Sequence, residues 1–469
     1  MSLTLTRRRF SLGAAATVSG LAAGGTARAA AASPNPSLAW SPQTLCGLNV
    51  GFGTFWGRDI APGQYELLAR YGISFVRGIY FCYLLGGYMP GQLDTAVHTI
   101  VGLQPFAADP TQISLFCHAL PYAPPVGDTL ILSAPLVYRA SNGANLTLPA
   151  RTPLKIAGAT KGTGHDNTGY TLGGEIRVRP LDQNGKIADS GRQPVKDCNA
   201  LHASFFREGK TLRRPIDDYV KRAQQWLAQG FAFDHGGLVS SWSDLFAAFG
   251  QSNVQPMREQ EWQFFAGLDW NPRSVLISDE NEPVWPGAPD SHHDLKATPA
   301  QRWAAYKPYF QDVLYPQMRR HFPRHTLGFG NPDWDGPATA LHMDWWPKDR
   351  NTLLRVHYYP KQGAEGIWQL NPDNRSEMDG LMNRVADVQR RLDISQVHFQ
   401  EFGVRYDHPN RSNALKNIRQ AIQARRWSCA VWSASDDHAP KPDSYHSAGL
   451  SANGLWQPAE NALGAFGMN

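Results

Sequence analysis

Beyond residue 210 the chain alternates short apolar runs with longer amphipathic ones, and this alternation constrains the fold more than any other feature. The apolar runs fall at residues 231–234, 275–278, 326–329, 353–357, 397–402 and 429–433. Helical patterns fall at 215–230, where Tyr219, Val220, Ala223, Trp226 and Leu227 share one face, and near 299–322, 374–393 and 410–427. Strands that are apolar on both faces need cover on both sides, which a parallel sheet flanked by helices provides. Two upstream strands, 45–51 and 73–80, with a helix over 64–71 between them, bring the count to eight. Eight such units in 469 residues predict a (β/α)8 TIM barrel. The doubly wound alternative lacks its fingerprint, because Gly51-Phe52-Gly53 runs on into Thr54-Phe55-Trp56-Gly57.

Between 82 and 213 the pattern changes. Turn clusters such as Pro124-Pro125, Ser141-Asn142-Gly143 and Gly162-Thr163-Gly164 separate short runs at 113–117, 130–132, 154–157 and 175–178. A connection this long needs structure of its own, so a β-rich module inserted after the second barrel strand is expected. It leaves from the end of the barrel that carries active sites. The barrel itself then comprises 44–81 and 214–469.

Thr6-Arg7-Arg8-Arg9-Phe10 followed by a mildly apolar Gly/Ala run to Ala27-Arg28-Ala29 resembles a twin-arginine (Tat) signal peptide over 1–29. That implies export to the periplasm or exterior with the Tat translocase as partner, and a polar linker over 30–43. No stretch is long and apolar enough to predict a membrane span. The formal charge of +5 owes most to the four arginines of the leader, which leaves a nearly neutral remainder and no surface for nucleic acid. Five cysteines without a C-x-x-C exclude a zinc ribbon or thioredoxin-like site, while one or two disulfides, or buried thiols, both fit.

Two apolar runs end in glutamate. Val275-Leu276-Ile277-Ser278 leads into Asp279-Glu280-Asn281-Glu282-Pro283, and Val397-His398-Phe399-Gln400 leads into Glu401-Phe402-Gly403. An acid closing a buried strand costs desolvation unless it is paired or functional. On the fourth and seventh of eight strands, the two face one pocket. Asn281-Glu282-Pro283 and Gln400-Glu401-Phe402-Gly403 resemble the catalytic signatures of glycoside hydrolase clan A, nearest to its cellulase-like family 5. Arg77, His235, His357 with Tyr359, and Trp432 agree in order with that family's second-, third-, sixth- and eighth-strand residues. Gly78 and the β-rich insertion depart from the family pattern.

The resemblance implies a retaining glycoside hydrolase of β-linked polysaccharide, such as a β-glucan, a β-mannan or a bacterial exopolysaccharide. Glu401 would be the nucleophile and Glu282 the acid/base, with carboxyl groups roughly 5–5.5 Å apart. Arg77 and Tyr359 would hold the nucleophile, Asn281 the sugar 2-hydroxyl, and Trp432 the subsite floor. Fifteen tryptophans suit sugar stacking, with Trp285, Trp334, Trp345 and Trp346 as candidate walls. No cofactor or metal is expected: H-E-x-x-H, G-x-S-x-G and the P-loop are absent, and Ser291-His292-His293-Asp294 lies in a polar loop. The alternative is a noncatalytic polysaccharide-binding or assembly protein on the same barrel.

Overall fold

The computed structural model describes residues 37–51, 61, 63–79, 215–236, 251–283, 297–360, 370–435, 445, 447–450 and 455–468, together with the strands between 100 and 207 named below and residues 112, 126–127, 149 and 152. Eight strands form the barrel: β1 (Cys46–Gly51), β2 (Phe75–Ile79), β3 (Ala232–His235), β4 (Val275–Ser278), β5 (Leu327–Phe329), β6 (Thr352–Tyr358), β7 (Gln396–Phe402) and β8 (Ser428–Ser435). Each pairs in parallel with the next, and β8 pairs back onto β1, so the sheet closes. This is a (β/α)8 barrel. Two short strands, β9 (Ala448–Leu450) and β10 (Trp456–Pro458), extend from β8.

The helices are α1 (Gln64–Arg70), α2 (Pro215–Ala228), α3 (Gln251–Ala266), α4 (Pro299–Tyr309), α5 (Tyr315–His321), α6 (Pro337–Ala340), α7 (Arg375–Leu392) and α8 (Arg411–Gln423). A π-helical turn, Phe310–Leu314, joins α4 to α5 just after Pro308, whose missing N–H interrupts the regular ladder. The helix α3 was not expected from periodicity. Its inward face mixes Gln255, Arg258 and Glu261 with Trp262 and Phe265, all buried, so the apolar stripe is broken by polar residues that the fold nevertheless covers.

The barrel interior has two tiers, set by the two-residue period of the strands. The lower tier is apolar: Phe75, Ala232, Leu276, Leu353 and Ala430 meet at the axis. Trp40 closes it from beneath, edge-on to Phe75 at 5.1 Å, with its backbone N–H donating to Thr326 Oγ1 at 2.8 Å. Residues just before β1, grouped with the linker on composition, thus pack as the barrel floor. Two positions further along β2, β3, β4 and β6, the same inward direction carries Arg77, Asp234, Ser278 and Arg355, all buried. The interior therefore changes from oil to a charged network in one step of the pleat.

Between β2 and α2 the described residues include nine strands. Six pair antiparallel in the order Phe205–Arg207, Thr129–Leu132, Pro153–His165, Thr171–Pro180, Ile113–Cys117, Ile100–Pro105. Three more, Val195–Cys198, Leu136–Ala140 and Asn145–Leu148, form a second antiparallel sheet. Cys46 and Cys429 sit opposite one another in the β1–β8 register as buried free thiols. Among the described residues no helix is long and apolar enough to cross a membrane. The proposed leader, residues 1–29, lies outside them.

Candidate active site

At the end of β7 the register slips. Against β6 it passes from Val356–Phe399 to His357–Glu401, and against β8 from Phe399–Cys429 to Phe402–Val431. This bulge re-aims consecutive side chains, so that Gln400 and Glu401 both serve the interior. Glu401 is 4% exposed at its side chain and pairs with Arg77 Nη1. Tyr359 donates its hydroxyl to the other carboxylate oxygen. Burial, and then the nearby charges of Glu401 and Glu282, push the Tyr359 hydroxyl well above its ordinary range, which keeps it a donor. Arg77 also donates to Asn49 Oδ1 at 3.2 Å and to Asn281 Oδ1 at 2.6 Å.

Glu282 follows β4 with φ 49°, a left-handed conformation that costs a non-glycine residue about 1–3 kcal/mol. Two neighbours share it, Trp334 (φ 50°) and Asp335 (φ 55°). The three are locked together: Glu282 N donates to Asp335 Oδ2 at 3.3 Å, and Trp334 N to Pro283 O at 3.3 Å. Asp335 also accepts from Asn331 N at 2.9 Å, and its carbonyl accepts from His357 N at 2.8 Å. Gly330 is required for this clamp, since a Cβ there would lie 1.7 Å from Asp335 Oδ1. Burial raises the Asp335 carboxyl well above the usual range, opposed by the Arg355 guanidinium that it shares with Asp279.

His357 sits between the two glutamates. Its Nδ1 is 3.0 Å from Glu282 Oε1 and 3.5 Å from Glu401 Oε2. Burial, resisted by the Glu401 charge and reinforced by Arg77 and Arg355, pushes the imidazole down to about 3, so the ring is neutral at ordinary pH. A donor atom of each of Glu282, His357 and Glu401 lies within 4.8 Å of the others, the only such group of three His, Cys, Asp or Glu among the described residues. The Arg77 guanidinium bonded to Glu401 already supplies the positive charge there, and the remaining donors engage Tyr359 and one another. The trio suits proton chemistry better than cation binding.

Of the residues singled out in the sequence, Arg77, Asn281, Glu282, His357, Tyr359 and Glu401 come together here. His235 does not. It is buried on the outer side of β3, its Nδ1 2.6 Å from the Tyr219 hydroxyl and its ring 4.0 Å from that of Phe265. Strand alternation explains the difference: Asp234 takes the inward direction, so its neighbour must face the helices. The next inward position is Gly236, where a Cβ would lie 3.2 Å from Arg77 Nε.

Trp432 is half-buried on β8. Trp334 is half-buried beside the Glu282 loop, whereas Trp346 is core, bonded to Thr352 and set against Phe310 and Phe329. Trp345 packs on the same Phe310. Trp285 and the 291–294 cluster lie outside the described residues. Sequence reasoning missed Asp234, Asp335 and Arg355; the signal was present, since Arg355 and Asp234 are charges embedded in apolar runs.

Residues 255–438 match the family model for cellulase, glycosyl hydrolase family 5. Among curated proteins no similar sequence was found. Solved structures similar to the chain include the cellulose synthase subunit Z of Clostridioides difficile, at 14% identity and TM-score 0.40, covering 54% of this chain and 79% of that one. A hyperthermophilic endo-β-1,4-glucanase in complex with substrate matches at 12% identity and TM-score 0.46, over 90% and 97% of the two chains. A mutant form of Thermotoga maritima Cel5A with cellobiose matches at 12% identity and TM-score 0.48, over 93% and 99%.

Proposed function

We propose that the protein is a retaining glycoside hydrolase that cleaves β-linked polysaccharide or oligosaccharide by double displacement. One observation carries the proposal: two glutamates share the barrel mouth with carboxylate oxygens within 4.8 Å, and their partners differ. That closeness suits the roughly 5–5.5 Å spacing of retaining enzymes and leaves no room for the intervening water of inverting ones. Glu401, bonded to Arg77 and Tyr359, is the nucleophile that attacks the anomeric carbon. Glu282, more exposed at 21% of its side chain and facing His357, protonates the leaving oxygen and later takes a proton from water. The cellulase family match over 255–438 supports the same chemistry. β-Glucans, β-mannans and bacterial exopolysaccharides are the substrates to test. Residues 1–29 would direct export through the twin-arginine route, so that the enzyme works in the periplasm or outside.

The test is reducing-end release from a panel of these polymers by wild type, Glu401→Gln and Glu282→Gln. Glu401→Gln should lose activity by at least about a thousandfold on every substrate. Glu282→Gln should lose comparable activity on polymers but retain a burst of leaving group from an aryl β-glycoside, which needs no acid for its first step. Equal polymer binding by all three proteins with no release from any substrate would replace hydrolysis with a binding role.

A further inference from the structure

We infer that Gln400 is a positioning residue that fixes the tautomer of His357 and thereby keeps the proton on Glu282. The inference rests on the hydrolase proposed above and concerns how one of two close carboxylates is made the acid. The orientation of the Gln400 amide is dictated by its neighbours. On one side it meets Arg355 Nη1 at 2.8 Å, which can only donate, so the amide oxygen faces that way. On the other it meets Asp234 Oδ2 at 2.8 Å and Ser278 Oγ at 2.9 Å, so the amide nitrogen donates there. Ser278 can accept because its own hydrogen goes to Asp234 Oδ1 at 2.8 Å. Burial opposes ionisation of Asp234, but hydrogen bonds and charge from His398, with Arg77 and Gln400, outweigh it and hold the carboxyl down at about 2. A flipped amide would set oxygen against carboxylate and NH2 against guanidinium.

The consequence reaches the catalytic pair through the histidine. Gln400 Oε1 lies 3.3 Å from His357 Nε2, and Asp335 Oδ2 lies 3.5 Å from the same nitrogen. Asp335 Oδ2 itself faces the donors Glu282 N and Arg355 Nη2, so it too presents a lone pair. Nδ1 also faces oxygens, Glu282 Oε1 at 3.0 Å and Glu401 Oε2 at 3.5 Å, but a carboxyl can carry a proton and the Gln400 amide oxygen can only accept, so every contact is satisfied with the hydrogen on Nε2. The neutral ring then has a bare lone pair at Nδ1, 3.0 Å from Glu282 Oε1. That contact is a hydrogen bond only if Glu282 donates, which requires its acid form. Glu401 meets the two donors Arg77 and Tyr359 instead. Among the described residues, the charged and titratable groups facing this arrangement include Arg77 from β2, Asp234 from β3, Asp279 after β4, Asp335 after β5, Arg355 from β6, Tyr359 after β6, and His398 and Glu401 from β7.

Selective 15N-histidine labelling tests this, with His357→Asn used to assign the His357 signals. The expected wild-type spectrum at neutral pH shows hydrogen on Nε2 and an unprotonated Nδ1. Gln400→Met removes the nearer of the two acceptors and leaves only Asp335 Oδ2 at 3.5 Å, so that His357 can carry its hydrogen on Nδ1 and donate to an ionised Glu282. The ring should change tautomer, kcat should fall about tenfold or more, and KM should change little. The alkaline limb of the rate profile should move down by about one pH unit, because Glu282 then releases its proton earlier. Hydrogen on Nδ1 in wild type overturns the inference, as does a Gln400→Met protein with unchanged tautomer and profile. If that variant does not fold, the wild-type spectrum decides alone. The spectrum needs no substrate, so absence of hydrolysis would defeat the proposed function without touching this result.

Discussion

His235 and His357 meet similar burial and are put to different uses. Both imidazoles are pushed down from 6.5 to about 3 by desolvation, so both are neutral in the folded protein. The unfolded chain takes up a proton on each near pH 6.5, and the folded chain does not until about pH 3. The unfolded state therefore binds more protons in that window, and stability falls as pH falls from 6.5, with the full penalty reached below 3. His235→Gln should flatten the decline of Tm between pH 6.5 and 3 relative to wild type, measured by thermal melts across that range. At this scale the sequence was legible where chemistry and strand parity agree. Glu282 and Glu401 close apolar strands and could be found from that. His235 was not legible as a core residue, because motif order matched while alternation around Asp234 turned it outward.

The elements place these residues by departing from regularity. A bulge in β7 gives Glu401 its direction without surrendering Gln400, and a run of left-handed residues after β4 and β5 sets Glu282. Neither device has a sequence signature: Gln400-Glu401 reads as ordinary strand, and neither Glu282 nor Trp334 is a residue that favours positive φ. The strand positions themselves were readable within a residue or two from apolar runs. The helix α3 was not, because its buried face carries Arg258, which donates to Tyr309 at 2.7 Å and to Glu280 at 3.4 Å. Gly330 at the end of β5 gives the clamp its sharpest test. Gly330→Ala should destabilise the fold by about 1–3 kcal/mol, read as a lower urea midpoint, and should reduce kcat by displacing Asp335 from Glu282 N.

For the molecule as a whole, the two-tier interior separates stability from chemistry. The lower apolar tier holds the barrel shut, while the upper charged tier orders the mouth. Trp40→Ala should cost about 3–5 kcal/mol by emptying the floor beneath Phe75 and Leu276, seen as a lower Tm. The pH profile and relative activities of protein that remains folded should be nearly unchanged. The same tryptophan was hidden in the sequence, where it stands amid Ser, Pro and Ala as if in a tether. Only the closed ring of strands gives it a place, since Phe75 from β2, His398 from β7 and Thr326 just before β5 reach it from parts of the chain far apart in sequence. Any cut that removed Leu38 and Trp40 would uncork the barrel, leaving its apolar tier open to water from below and lowering stability at least as much as Trp40→Ala does.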